Sequence, residues 1–160
     1  MKLVFYPNKI LKEKCEEVKN FDSVLEGIVL EMLDIMHKSN GAGLAASQVG
    51  IKKRIIVADI DNRPFVLINP KIVKREGKET MEEGCLSFPN LFLKVKRAKK
   101  IKVVAQNTKG ERKEFEAKEV FAQILQHEID HLDGVLFIDR LGVFEKQKIK
   151  RKLKKENQQK

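Results

Sequence analysis

His127 and His131 stand four residues apart in the segment Gln126-His127-Glu128-Ile129-Asp130-His131. That spacing is useful to a metal only on an α-helix, where residues i and i+4 leave the same face one turn apart and two imidazoles can grip one ion. Glu128 follows the first histidine directly, so its carboxylate can reach a water on such an ion without ligating it, the position a general base needs. The segment therefore predicts a helix that carries two ligands and a base. A helix with two unconnected histidines and a solvated glutamate is the plainer alternative, and the rest of the chain has to decide between them.

A third ligand type lies in Met81-Glu82-Glu83-Gly84-Cys85-Leu86-Ser87, well before the histidine pair. A thiolate added to two imidazoles leaves a fourth position open to water, which is the catalytic arrangement rather than the closed structural one. Gly84 is expected to let the backbone turn sharply and present the sulfur. The alternative for Cys85 is a small buried hydrophobe. Cys15, in Lys14-Cys15-Glu16, has no ligand types at metal spacing and reads as a bystander thiol.

Asn40 to Gly50 holds three glycines and three alanines in eleven residues, the texture of backbone that passes very close to something. Its spacing fits neither common phosphate-loop pattern. Gln48 carries the only side-chain amide between Gly41 and Gly50 and is the candidate for polarising a substrate carbonyl.

Around these segments the pattern is mixed. Ser23-Val24-Leu25-Glu26 fits a capping box, and Leu25, Ile28, Val29, Met32, Leu33 and Met36 recur at helical spacing, which predicts an amphipathic helix over 23–38. His37, at its end, reads as a surface histidine. Stretches 54–60 and 65–69 read as strands around an Asp61-Asn62-Arg63-Pro64 turn, with 71–76 as a third strand. Stretches 100–106 and 112–115 flank an Asn107-Thr108-Lys109-Gly110 turn. The histidine helix is expected over 118–132, with Gly134 ending it.

With 160 residues and 42% hydrophobic content, one domain with a real core is expected. The first residues form no signal-peptide core and no apolar run reaches membrane-spanning length, which predicts a soluble cytoplasmic protein. The net charge of +10 is concentrated at the end: residues 146–160 carry eight Lys or Arg and one acid, leaving only +3 for the first 145. We therefore expect a catalytic domain over 1–145 and a basic tail over 146–160, helical or frayed, and no DNA-binding face on the body.

The three segments, in this order, resemble the signatures of the peptide deformylases. Gly41-Ala42-Gly43-Leu44-Ala45-Ala46-Ser47-Gln48 is similar to the first, Glu83-Gly84-Cys85-Leu86-Ser87 matches the second, and Gln126-His127-Glu128-Ile129-Asp130-His131 matches the third. Ala42 stands where a larger aliphatic residue is common, Ser47 where proline is common, and Asn90 where Gly or Glu is often found. These departures touch the lips of a substrate groove rather than the chemistry.

The resemblance implies an α+β fold with antiparallel β-sheets packed around a central metal-binding helix, an N-terminal amphipathic helix and a basic C-terminal one. It implies one divalent ion on Cys85, His127 and His131, Fe2+ in cells and Zn2+ or Ni2+ in isolated protein. The implied reaction removes the formyl group from an N-formylmethionyl nascent peptide as formate, with Glu128 as the proton carrier. Gln48 and the backbone N–H of Leu86 would serve the carbonyl oxygen. Gly43, with Ala42 and Gly84, would let the peptide lie alongside.

By helical spacing from His127, the residues Val120, Gln123 and Ile124 are candidates for the wall of a methionine pocket, although similar proteins tend to carry an aliphatic residue in place of Gln123. Glu83 and Arg97 are expected to pair behind the metal ligands. Asp130 is either a steadying group or a solvated helix charge, and stays outside the catalytic set. The basic tail would dock on the ribosome by salt-sensitive attraction to RNA.

Three other functions compete. A metalloprotease shares the histidine motif, but its usual third ligand follows the pair and is seldom cysteine. A structural metal module docking on RNA through the tail would need neither Glu128 nor Gln48. A deformylase-like protein with shifted side-chain preference is the third, on the strength of Ala42 and Gln123.

Overall fold

Every residue of the metal-motif helix from Leu125 to Leu132 is buried. A helix closed in on all sides needs packed layers around it and a partner for each polar group. The computed structural model, which describes residues 1–158, supplies both. Its strands are β1 (Gly43–Ala45), β2 (Ile55–Ile60), β3 (Arg63–Glu76), β4 (Glu79–Cys85), β5 (Phe88–Arg97), β6 (Lys100–Gln106) and β7 (Arg112–Lys118). Its helices are α1 (Ser23–Lys38), α2 (Glu119–Leu132) and α3 (Val143–Gln158), with 3₁₀ turns at Lys9–Lys12, Ala46–Val49 and Phe137–Arg140.

The main sheet is antiparallel, in the order β1-β2-β3-β6-β7, while β4 and β5 form a separate two-stranded sheet. Strand β2 explains the layering. Its side chains alternate between two cores, Ile55 and Val57 facing α1 through Val29, Met32 and Met36, and Ile56 and Ala58 facing α2 through Leu125, Ile129 and Leu132. The sheet is thus sandwiched between two helices. On the far side of α2 a third cluster joins Phe88, Leu91, Leu93 and Val95 of β5 to Leu11, Leu136, Phe137 and Ile138. Ile149 and Leu153 of α3 pack against this cluster, which holds the basic helix on the body. The fold is α+β, as the three motifs imply.

Several local expectations are corrected. Helix α1 is capped by Asp22, whose carboxylate accepts from the Leu25 N–H at 3.1 Å, and Ser23 is already inside the helix. Both residues can cap, and the one a position earlier does. The two strands expected over 65–69 and 71–76 are one continuous strand, β3, with Asn69 at φ +53° and register shifts that absorb the bend. Cys15, read as a bystander thiol, is buried in the α2 core. His37 is exposed as expected, its ring 2.9 Å from Asp59. The helix α3 starts at Val143, three residues before the expected tail, and residues 159–160 of that tail lie outside the described residues.

Candidate metal centre and active site

His127 and His131 leave α2 one turn apart with ring centroids 5.0 Å apart, and the end of β4 brings Cys85 to them. One donor atom from each of the three lies within 4.8 Å of the others, and Cys85 Sγ is 3.3 Å from His131 Nε2. Cys85 reaches this place because the β4–β5 pairing slips by a bulge between Gly84 and Cys85. Gly84 does not supply the positive φ that a sharp turn would need. It is required instead by close approach, since a Cβ there would sit 2.9 Å from the Phe92 ring.

The ligands are held from behind. His127 donates from Nδ1 to Glu83 Oε2 at 2.8 Å, which leaves Nε2 as its free nitrogen. Arg97 forks onto both Glu83 oxygens, the Nη2 contact being 3.0 Å, and reaches Asp130 Oδ2 with Nη1 at 2.8 Å. Arg140 closes the chain by donating to Asp130 at 2.9 and 2.5 Å. Burial pushes the Glu83 carboxyl up, yet the hydrogen bonds from His127 and Arg97 outweigh it and hold the group down to about 2. Asp130 is therefore the hub between two arginines, not a solvated charge. Gln126, the first residue of its motif, reproduces a strand edge: it accepts from the Ala98 N–H at 3.0 Å and donates to Ala98 O at 2.9 Å, tying α2 to the chain between β5 and β6.

The cluster fits a divalent cation. Burial depresses the basicity of His127, but the Cys85 and Glu83 hydrogen bonds and the nearby carboxylate of Glu128 reverse this and raise the imidazole to about 10. His131 is pushed well below its ordinary value by burial and by His127. A thiol and two imidazoles gathered within one ion's reach, where the Glu83 and Glu128 carboxylates favour positive charge, are the donor set that zinc or ferrous iron takes.

Two polar side chains close over this centre. Glu128 is buried, and burial raises its carboxyl to about 7. Among the described residues its Oε2 has no hydrogen-bond partner. Gln48 is 1% exposed in the turn Ala46–Val49, its Oε1 fixed by the Ala45 N–H at 2.9 Å. Its amide nitrogen lies 3.2 Å from Ser87 Oγ and 3.6 Å from Cys85 Sγ, so it faces the thiol. All three glycine-, cysteine- and histidine-bearing segments thus meet at one point.

The family model for polypeptide deformylase matches residues 1–147. The chain belongs to the polypeptide deformylase family. It is 44% identical to the peptide deformylase of Pseudoalteromonas translucida over 98% of this chain and 95% of that one. It is 47% identical to that of Clostridium botulinum over 84% and 92%. Among solved structures it resembles peptide deformylases from Legionella pneumophila (TM-score 0.91, 37% identity, 98% of this chain and 95% of that one) and Thermotoga maritima (TM-score 0.86, 42% identity, 88% and 97%).

In this member of the deformylase family a cavity of about 500 Å³ opens beside the metal cluster. Its lining includes Ala42, Gly43, Gly84, Leu86, Val120, Gln123 and Ile124, together with Phe92, which is 65% exposed and was not among the expected groove residues. Gln123 is buried, and its amide donates to Glu82 O at 3.2 Å, so the residue that departs from the usual deformylase pattern also braces β4. Ser47, another departure, turns its hydroxyl toward His131 O at 3.4 Å. Strand β1 is an edge strand beside the cavity, and on it the Ala45 N–H is taken by Gln48 Oε1.

Proposed function

We propose that this chain removes the formyl group from the N-terminal formylmethionine of newly made polypeptides, giving formate and a free amino terminus. The observation that supports it most is the meeting of the three motifs: Cys85, His127 and His131 within ligand distance of one another, Gln48 facing the thiol, and Glu128 with an unpartnered oxygen.

A divalent cation on the Cys85 sulfur and the two imidazoles would supply a Lewis acid for the formyl carbonyl and lower the pKa of a water. In cells we take it to be Fe2+, with Zn2+ or Ni2+ in isolated protein. The protein's own groups do the rest. Glu128 takes a proton from the water as its oxygen adds to the formyl carbon, and delivers it to the departing amine nitrogen. The Gln48 amide and the Leu86 N–H donate to the oxygen that gains charge. Donors set in place beforehand matter here, since losing one typically costs about 3 to 4 kcal/mol in the barrier.

The free edge of β1 would pair with the peptide backbone, the way an extended peptide adds to a sheet. Val120, Gln123 and Ile124 would wall the methionine side chain, and Glu83 with Arg97 would keep His127 in its tautomer. The basic face of α3 would hold the enzyme near emerging chains through ribosomal RNA, and its work would then lie in the cytoplasm. No helix among the described residues is long and apolar enough to cross a membrane.

The test is formate release from a formyl-Met peptide by metal-loaded protein, with Glu128→Ala as the control. A folded, metal-loaded preparation that releases none would overturn the proposal.

A further inference from the structure

A second cleft of about 670 Å³ lies beside α2 and shares no lining residue with the first. It is bounded by the end of β3, the β3–β4 turn, the end of β5, and the face of α2 that carries Gln126 and Asp130. Five cations line it, Arg75, Lys78, Lys96, Arg97 and Arg140, against one carboxylate, Asp130. Both oxygens of Asp130 are already occupied by Arg97 and Arg140. Among the described residues, Arg75, Lys78 and Lys96 form no salt bridge, and the neighbouring Glu76 is held by Lys74 and Lys100.

The concentration is not a property of the whole surface. Residues 1–145 carry a net charge of only +3, and with Glu83 and Asp130 set against Arg97 and Arg140 the three remaining cations of this one cleft carry as much. Like charges gathered in a concave space repel one another unless an anion joins them, and concavity focuses the field. We propose that this cleft binds a compact diphosphate group, free or at the end of a nucleotide. The reasons are its charge, which exceeds that of a single phosphate, and its limited extent between the β3–β4 turn and α2, which suits a small anion better than a continuous nucleic-acid backbone. Arg75, Lys78 and Lys96 supply the free donors and Arg140 the half-exposed rim. Arg97 forms the floor, so the anion's field falls on the guanidinium that holds Glu83 against His127.

Calorimetric titration of the metal-loaded protein at low salt tests this, with pyrophosphate and a nucleoside diphosphate as separate probes. The variants are Lys78→Ala/Lys96→Ala in the cleft and, as a control of equal charge, Lys148→Ala/Lys154→Ala on α3. All four lysines are exposed, so both variants keep the fold. The expected result is saturable binding at one site, weakened about 100-fold by the cleft pair, as for two lost charge-assisted hydrogen bonds, and by less than about twofold by the control pair. Equal affinity for the two probes assigns the site to free diphosphate, and tighter binding of the nucleotide assigns it to nucleotides. Binding that survives in the cleft variant, as it would if pyrophosphate sat on the metal, overturns the proposal. So does an equal loss in both variants, or binding of single-stranded RNA alone.

Discussion

Gly43 lies directly against Glu128: a Cβ on Gly43 would come within 2.7 Å of Glu128 Oε1 and 2.9 Å of its Cγ. Strand β1 and helix α2 approach this closely only because position 43 has no side chain, and the contact fixes where the carboxylate stands. Gly43→Ala should therefore push Glu128 aside while leaving the core intact. A misplacement of about 1 Å at a reacting group can cost about 100-fold in rate. Deformylation kcat should fall by about that factor, with the melting temperature nearly unchanged. A variant with full kcat would show that the carboxylate does not need this position.

Glu83→Gln should act on the metal rather than on the substrate. It removes the charge that faces both Arg97 and His127, each of them buried. Metal affinity should drop about 10- to 100-fold, as is usual when a group behind a ligand is lost. Breaking a buried pair should also cost about 3 kcal/mol of stability. Competition with a chelator measures the first and denaturant unfolding the second. An unchanged metal affinity would mean that His127 is oriented without Glu83.

Much of this arrangement could be read from the chain because its signals are local. Two histidines at i and i+4 and a glycine after the last turn of α2 at φ +71° are each decided within a few positions, whereas the turn expected over Asp61-Asn62-Arg63-Pro64 narrows to Asp61-Asn62, both at positive φ, with Arg63 and Pro64 already paired in β3. What could not be read depends on distant neighbours. Strand β4 buries Glu83 on the face where an apolar residue would signal a strand, because Arg97 and His127 wait there, and so the alternation fails. Asp130 looks like a solvated helix charge until β5 brings Arg97 and the turn after α2 brings Arg140. Phe92 and the second cleft follow from how the two sheets are set, which no spacing in the sequence encodes.

Stripping the metal should destabilise the protein as well as silence it. Cys85, His127 and His131 would be left as a close-set group, its two imidazoles buried, whose donors had lost their common partner. Binding to the folded state alone stabilises by about 2.7 kcal/mol when the free ligand is 100-fold above its Kd. The thermal midpoint should fall on chelation and return with Zn2+ or Fe2+, but not with Mg2+, which prefers oxygen ligands. Recovery with Mg2+ would argue against a thiolate–dihistidine site.

Gln126→Leu tests whether the first residue of the histidine motif is structural. The substitution leaves the Ala98 N–H and C=O without the amide that now pairs with both. An unsatisfied buried group costs about 1 to 3 kcal/mol, so a total loss of about 2 to 4 kcal/mol is expected in denaturant unfolding. Activity of the folded fraction should stay within about twofold of the parent. A larger fall in activity at full metal loading would place Gln126 in the chemistry.

The seat of α3 should respond to acid through Asp139. Its carboxylate accepts from Lys146 Nζ at 2.6 Å and from the Leu136 N–H at 2.9 Å, so it links the turn Phe137–Arg140 to the basic helix. Burial pushes its carboxyl up, but these two hydrogen bonds outweigh that and hold it below its ordinary value. A depressed folded pKa means a contribution that is complete above the unfolded value, about 4, and is lost as the pH falls through the folded one. At neutral pH, Asp139→Asn should raise hydrogen exchange in α3 severalfold while the amides of α2 stay protected. As the pH falls through that lowered value the parent protein should approach the variant's exchange in α3. If the two differ as much in acid as at neutrality, the Asp139 charge is not what seats the helix, and the packing of Ile149 and Leu153 on the β5 cluster holds it instead.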